Sequence, residues 1–448
     1  MKRICYRTVV SYAVLLPMFL ILLSCSDDDY LNAIPENSTA LLAVDMQDIS
    51  DKDVSARIAD FLKIENIDAC GLDLSAKLYL FETIEGNIGL SAKVADKGDL
   101  ESFVGELAEK GYCQNISEYK NFKFSVIKDS WVAGLSSEAL VIMGPALPAQ
   151  QSELKQQIAK YLGNSAEQGV KRSPLFAKLD SIDSPVALVA RASALPEKMA
   201  LPFMLCAPKY ADASQIIIAA EIDASDNTCL TIEGESFAFD KDIDNELRAS
   251  SNVFRPIKGT YAGNIPGNSV AGVFMNVDGG QFINLLHSNK TFQTLLAGMN
   301  MAVDMDNIIK SFDGDVTMFI PKENGERGWG MAAELKGKSF LDDVDYWKQS
   351  CPAGCKITDW DKDAYCYTDG EKSYYFGVSD DMQFFSGHST DCARGILSKS
   401  ATPLPTDIQE TIKGKRLAVF FNINDLFGNN TFVNKLFGST DTVLYFMK

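Results

Sequence analysis

Histidine, cysteine and clustered carboxylates are the side chains that would carry chemistry in this chain, and their spacing limits what that chemistry can be. The 448 residues include two histidines, His287 and His388. Ser-His and Cys-His nucleophilic catalysis each need a histidine beside the nucleophile, and zinc sites gather several His or Cys ligands. His287 falls off the apolar stripe of Phe282, Leu285 and Leu286 and reads as a surface residue. His388 lies in Gly387-His388-Ser389-Thr390-Asp391, a turn and helix-cap pattern. Cys351 and Cys355 have three intervening residues, where thiol oxidoreductases and zinc knuckles have two. The pair is therefore expected to form a loop disulfide or to stand as two buried thiols. Cys70, Cys113, Cys206, Cys229, Cys366 and Cys392 show no regular spacing and read as small buried hydrophobes.

Acidic residues are abundant, 60 against 42 basic ones. Asp359, Asp361 and Asp363 alternate like the first ligands of an EF-hand, but position six is Ala364 and position twelve is Gly370, where calcium loops need Gly and Glu. Asp240, Asp242 and Asp244 fail likewise at Asn245 and Ser251. Both runs read as solvated loops. No Walker or dinucleotide glycine loop occurs, so no cofactor or metal site is expected. Paired carboxylates for glycoside hydrolysis remain open, because so many acids single out no pair. Trp329, Trp347, Trp360, Tyr365, Tyr367, Tyr374 and Tyr375 crowd one region, either as strand core or as a shelf for a glycan or a protein ligand.

The N-terminal region gives an address. Lys2, Arg3 and Arg7 precede an apolar run from Val9 to Leu23, the order of a secretion signal, expected over residues 1–24. The run contains Pro17 and is shorter than the ~20 residues of a spanning helix. Leu22-Leu23-Ser24-Cys25 resembles a bacterial lipobox, which implies that the Cys25 thiol receives a diacylglyceryl group, that the peptide is cut before Cys25, and that the new N-terminus is further acylated, with palmitate as an expected chain. The membrane is thus an expected partner through a lipid anchor at Cys25. An acidic tether is expected over 25–33. Its Ser26, Asp27, Asp28 and Asp29 resemble the export tag of Bacteroidetes-type surface lipoproteins, with a plain solvated spacer as the alternative. The expected location is the outer membrane, on the cell surface, with its periplasmic face as the alternative. Without Lys2, Arg3 and Arg7 the balance is 39 basic to 60 acidic residues, a formal charge of −21. Such a surface repels phosphate backbones, so nucleic acid is not an expected partner.

The elements that would position any site follow a repeat. Ile34-Pro35-Glu36-Asn37-Ser38 and the apolar run behind it return, 231 residues on, as Ile265-Pro266-Gly267-Asn268-Ser269. Pro35 and Pro266 suit the start of a buried strand, where a fixed φ and a missing donor are tolerated. Strands are expected at 39–46, 76–84, 87–95, 120–127 and 131–143, with helices at 53–62 and 99–110. In the latter, Leu100, Phe103, Val104, Leu107 and Ala108 form one stripe, Asp99 is placed as cap and Gly111 as stop. A helix with Leu154, Ile158, Tyr161 and Leu162 follows Pro148. The pattern restarts at Val186, at Ile265 and at Leu417. The expected organisation is a first repeat over 34–258, with sub-repeats 34–183 and 184–258, and a second over 259–448, with sub-repeats 259–414 and 415–448. The last has room for strand, helix and the strand Thr442–Phe446, but not for the return strand its counterpart has at 228–237. Whether another chain completes it is left open.

The fold class expected is α+β: tandem duplicated domains, antiparallel sheets with helices packed on one face, and ferredoxin-like β-α-β-β-α units. Hydrophobic residues make up 46% of the chain, enough for packed cores. The lipobox, tether, Ile-Pro-x-Asn-Ser phrase and duplication together resemble an uncharacterised domain-of-unknown-function family of Bacteroidetes-type outer-membrane lipoproteins. The resemblance implies a similar fold and address and supplies no activity. The leading functional expectation is a non-enzymatic surface binding scaffold. The alternatives are a carboxylate-based hydrolase of glycans or peptides with its groove between repeats, and a structural partner of an envelope complex.

Overall fold

The computed structural model describes residues 28–46, 70–195, 200, 203–223, 229–288, 293, 303–322, 328–422 and 442–447. The leader, Cys25, Ser26, Asp27 and the expected helix at 53–62 lie outside them. The described residues up to Asp180 form one compact unit and those from Ser181 a second. The chain is mixed α/β, and its sheets are mostly antiparallel.

Unit 1 comprises β1 (Ala40–Val44), β2 (Leu78–Glu82), β3 (Ile88–Lys93), α1 (Lys97–Glu109), β4 (Ser117–Tyr119), β5 (Phe122–Ile127), β6 (Trp131–Leu135), β7 (Ala139–Gly144), α2 (Gln151–Leu162) and α3 (Pro174–Asp180). The strands pair antiparallel in the order β1-β2-β3-β7-β6-β5-β4. The strand expected at 131–143 is two strands, because the Ser136 hydroxyl accepts the Ala139 N–H at 2.9 Å and turns the chain between β6 and β7. Helix α1 is capped by Asp96 rather than Asp99: the Asp96 carboxylate accepts the Asp99 N–H, and Asp99 sits in the first turn.

Two sequence expectations about the fold are corrected here. A ferredoxin-like order would hold the first two strands parallel with a third between them, whereas β1 and β2 are adjacent and antiparallel. Helices also cover both faces of the sheet. Leu100 and Val104 of α1 pack on Ala133, Leu135 and Leu140, while α2 lies on the opposite face, where a Cβ at Gly134 would come within 2.4 Å of Ile158 Cγ2. Each buried aliphatic side chain adds about 1.5–3 kcal/mol of burial, so two covered faces suit a sheet whose strands are apolar on both sides.

Unit 2 comprises β8 (Val186–Arg191), β9 (Ile216–Asp223), β10 (Cys229–Ala238), α4 (Lys241–Ser251), β11 (Phe254–Arg255), β12 (Ala271–Asp278), α5 (Gly279–Ser288), α6 (Met305–Lys310), β13 (Phe312–Ile320), β14 (Gly330–Leu335), α7 (Val344–Ser350), β15 (Lys356–Asp361), β16 (Ala364–Thr368), β17 (Ser373–Val378), β18 (Gln383–Gly387), α8 (Thr390–Gly395), α9 (Thr406–Ile412), β19 (Leu417–Asn422) and β20 (Thr442–Met447). The run β12-β13-β14-β18-β17-β16-β15 has the same order as the seven strands of unit 1. Beyond β12 the sheet continues as β19-β20-β10-β9-β8. Both edges of β20 are occupied within unit 2: it pairs antiparallel with β19 on one side and parallel with β10 on the other.

The repeated Ile-Pro-x-Asn-Ser phrase is a corner in both units. Ile34 and Ile265 are fully buried, and the Ser38 and Ser269 hydroxyls donate to the Pro35 and Pro266 carbonyls at 2.8 and 2.7 Å. Pro35 bridges to Gly169 and Pro266 to Pro403. No described helix is long and apolar enough to cross a membrane.

Candidate functional site

Four residues before each corner phrase stands a tyrosine, Tyr30 in unit 1 and Tyr261 in unit 2, both buried. In unit 1, residues Asp29–Ala33 form a 3-10 turn whose Tyr30, Leu31 and Ala33 are buried, so packing starts inside the span expected as tether. The Tyr30 hydroxyl donates to the Lys77 carbonyl at 3.0 Å. The Tyr30, Tyr79 and Phe176 rings follow one another at centroid distances of 6.2 and 6.0 Å. Beside them lies a cleft of about 630 Å³ rimmed by Asp28, Asp73, Lys77, Lys93, Lys171 and Asp180.

Most of the rim charges are paired. Lys93 meets Asp73 at 2.9 Å and Lys171 meets Asp28 at 2.9 Å. Ser75, through its hydroxyl, and Lys93 hold the Asp73 carboxyl down to about 2. Two charges have no such partner among the described residues: the half-buried Lys77 ammonium and the exposed Asp180 carboxylate at the end of α3. Burial, assisted by the charges of Asp180, Asp28 and Asp45, pushes the Tyr79 hydroxyl up to about 12, so it stays protonated at neutral pH.

The matching corner of unit 2 is filled. Sheet register places Asp315 where unit 1 has Lys77, and Glu334 where it has Lys93. Asp315 is 2% exposed and accepts Lys258 N–H at 3.0 Å, Thr260 N–H at 2.9 Å and the Asn276 amide at 2.8 Å. Glu334 accepts the Asp315 N–H and the Lys258 ammonium, both at 2.8 Å. Gly314, at φ +144°, makes that reach possible, because a Cβ there would sit 1.9 Å from Glu334 Oε2. The segment before Tyr261 is therefore pinned onto the sheet. A carboxylate bonded to three donors holds structure and has no room left to act as a base.

The residues singled out from sequence are dispersed. Asp28 and Asp29 are described, at the cleft and in the 3-10 turn. Cys351 and Cys355 stand as free thiols, with the Tyr367 hydroxyl donating to Cys355 Sγ at 3.1 Å. Asp359 pairs with Lys348, Asp361 with Arg394 and Asp363 with Lys338. Asp240 caps α4, and Asp244 pairs with Arg248. No metal-ligand cluster occurs among the described residues. His287 meets Asp306 at 2.7 Å, and His388 Nδ1 accepts the Trp329 N–H at 3.1 Å. The crowded aromatics do not make one shelf: Trp347 is buried in the core on one face with Tyr365 and Tyr367 packed against it, and Trp360 and Tyr375 lie against the core on the other. Arg394 stacks on Trp360 at 4.9 Å beside a smaller cleft of about 410 Å³, so that ring face is already covered. Lys77, Asp180 and Tyr79 were missed from sequence. The available signal was the tyrosine that precedes both copies of the corner phrase by four residues.

Among solved structures, crystal form III of TP0453 is 7% identical, with 83% of this chain and 97% of that chain covered and a TM-score of 0.25. Crystal form IV is 9% identical over 42% of this chain and 70% of that one, with a TM-score of 0.26. Likeness at that level carries no argument about fold or function. No curated protein matches the chain by sequence. A family model matches residues 33–425, and by that match the chain belongs to DUF4836, a family described as a domain of unknown function.

Proposed function

We propose that this protein is an envelope lipoprotein anchored through Cys25, non-enzymatic, and built by duplication of one α+β pattern. Its first copy keeps as a ligand cleft the corner that the second copy has closed. The observation that carries the reading is the contrast at the two tyrosines: an open cleft in unit 1 whose Lys77 ammonium and Asp180 carboxylate have no ion-pair partner among the described residues, and a corner with three donors on Asp315 in unit 2. The shared strand order and the 231-residue offset support duplication. The absence of a histidine beside any nucleophile motif supports binding over catalysis.

The reading is tested in two steps. Cells fed labelled palmitate should incorporate it into the wild type and not into a Cys25→Ala variant, and protease added to intact cells should remove the body of the protein. Protection of the wild type from protease would place it on the inner face, and Asp27→Ala, Asp28→Ala and Asp29→Ala together should produce that protection. For binding, a glycan and peptide screen should give ligands whose retention falls with Lys77→Ala. Turnover of any of them, abolished by a single carboxylate substitution, would overturn the non-enzymatic reading.

A further inference from the structure

The cleft of unit 1 has a specific charge content once its internal pairs are set aside. Asp73 and Lys93 neutralise each other at 2.9 Å, as do Asp28 and Lys171. What remains is one cation, Lys77, and one carboxylate, Asp180, beside the aromatic surface of Tyr30, Tyr79 and Phe176. Asp180 ends α3, where the negative end of the helix dipole adds to its charge. A ligand that satisfies both carries an anionic group and a cationic group. A volume of about 630 Å³ suits a small-molecule head rather than a folded partner.

Position narrows the class further. Asp28 lines the cleft, and Cys25 lies three residues before it. Three extended residues span about 10 Å, so an acylated Cys25 holds the cleft within that reach of the bilayer surface. The net charge of −18, more negative still once the leader's Lys2, Arg3 and Arg7 are removed, is repelled by an anionic membrane and not by a zwitterionic one. A carboxylate prefers a primary ammonium, which donates hydrogen bonds, to a quaternary one, which cannot.

We propose that the unit 1 cleft binds a lipid headgroup carrying a phosphate and a primary ammonium, as in phosphatidylethanolamine, with the phosphate on Lys77 and the ammonium on Asp180. The placement beside the membrane rests on the anchor reading above; the charge match does not.

The test uses the mature chain with Cys25→Ser, which removes the acyl group and leaves every cleft residue in place. It is floated with vesicles of phosphatidylcholine alone, with phosphatidylethanolamine added, or with phosphatidylglycerol added. The expected result is about tenfold more protein on the ethanolamine vesicles than on either other set, lost to a similar degree in Lys77→Ala and in Asp180→Asn, as for the loss of one charged hydrogen bond. Melting curves show whether each variant keeps its fold, and the isosteric Asp180→Asn guards against a misfolded Lys77→Ala. Equal binding to phosphatidylcholine or phosphatidylglycerol vesicles would overturn the proposal, as would retention by both folded variants. Binding of soluble phosphoethanolamine without a preference for ethanolamine vesicles would assign the cleft to a free solute and overturn the lipid assignment. Failure of palmitate labelling would remove the anchor reading alone, since the vesicle assay uses no acyl chain.

Discussion

The Tyr30 corner and the Tyr261 corner start from matching sequence and carry opposite charge. On the sheet, unit 1 has Lys77 and Lys93 where unit 2 has Asp315 and Glu334. On the segment leading into the tyrosine, unit 1 has Asp28, and unit 2 has Lys258, whose ammonium reaches Glu334 at 2.8 Å. The sign is inverted on both sides of the contact, yet only unit 2 buries it. There a carboxylate with 2% exposure is bonded on every side, and the arrangement stabilises only as a complete set. In unit 1 the same positions stay solvated, where ion pairs add little to stability. The same sheet position is therefore a rivet in unit 2 and stays open to solvent in unit 1.

The largest effect that could break this contrast is at Asp315. Asp315→Ala leaves the buried Asn276 amide and the Lys258 and Thr260 N–H groups without their acceptor and should destabilise unit 2 by about 2 kcal/mol or more, against under about 1 kcal/mol for Asp73→Ala in unit 1. In a Trp131→Phe background the remaining tryptophans, Trp329, Trp347 and Trp360, all report on unit 2, so urea denaturation followed by fluorescence isolates it. Equal losses for the two aspartates would end the comparison.

The tyrosines sharpen it through sign. Tyr30→Phe removes the bond to the Lys77 carbonyl and should cost about 1 kcal/mol. The Tyr261 hydroxyl is buried without a hydrogen-bond partner among the described residues, so Tyr261→Phe should be neutral or stabilising by up to about 1 kcal/mol. Acid should act next. The Asp73 carboxyl lies at about 2, below its ordinary 3.8, so its contribution is complete above pH 3.8 and fades as pH falls toward 2. Asp73→Asn should flatten that part of the unit 1 denaturation profile between pH 5 and 2. The smallest change is expected at Lys77→Ala and Asp180→Ala, under about 0.5 kcal/mol each. A larger loss at either would mean that the residue holds structure and is not available to a ligand.

Local patterns were legible in the sequence. The stripe of Leu100 and Val104 marked α1 within two residues, and the restart of the repeat pattern at the apolar run from Leu417 marked β19. The corner phrase was readable because burial of Ile34 and Ile265 and the Ser-to-Pro turn each leave a local residue preference. Asp315 was not readable. Among 60 acids nothing local separates a buried, bonded carboxylate from a solvated one, since its donors Lys258, Thr260 and Asn276 come from 39 to 57 residues away. Lys77 and Asp180 were hidden for the same reason: the cleft that makes them neighbours is assembled by pairing, and pairing across long separations has no sequence period. The expected ferredoxin-like order failed there too, because the order of elements along a chain does not fix which strands touch.

The parallel pair of β10 and β20 has a consequence in time. Cys229 of β10 lies opposite Thr442 of β20, 213 residues later. Closing so long a loop is entropically slow and must precede any return from the contact. During synthesis unit 1 can finish while β10 still waits, one edge bare, for a strand not yet made. A bare edge invites pairing with another chain, so the interval before β20 arrives is when this protein most needs a chaperone.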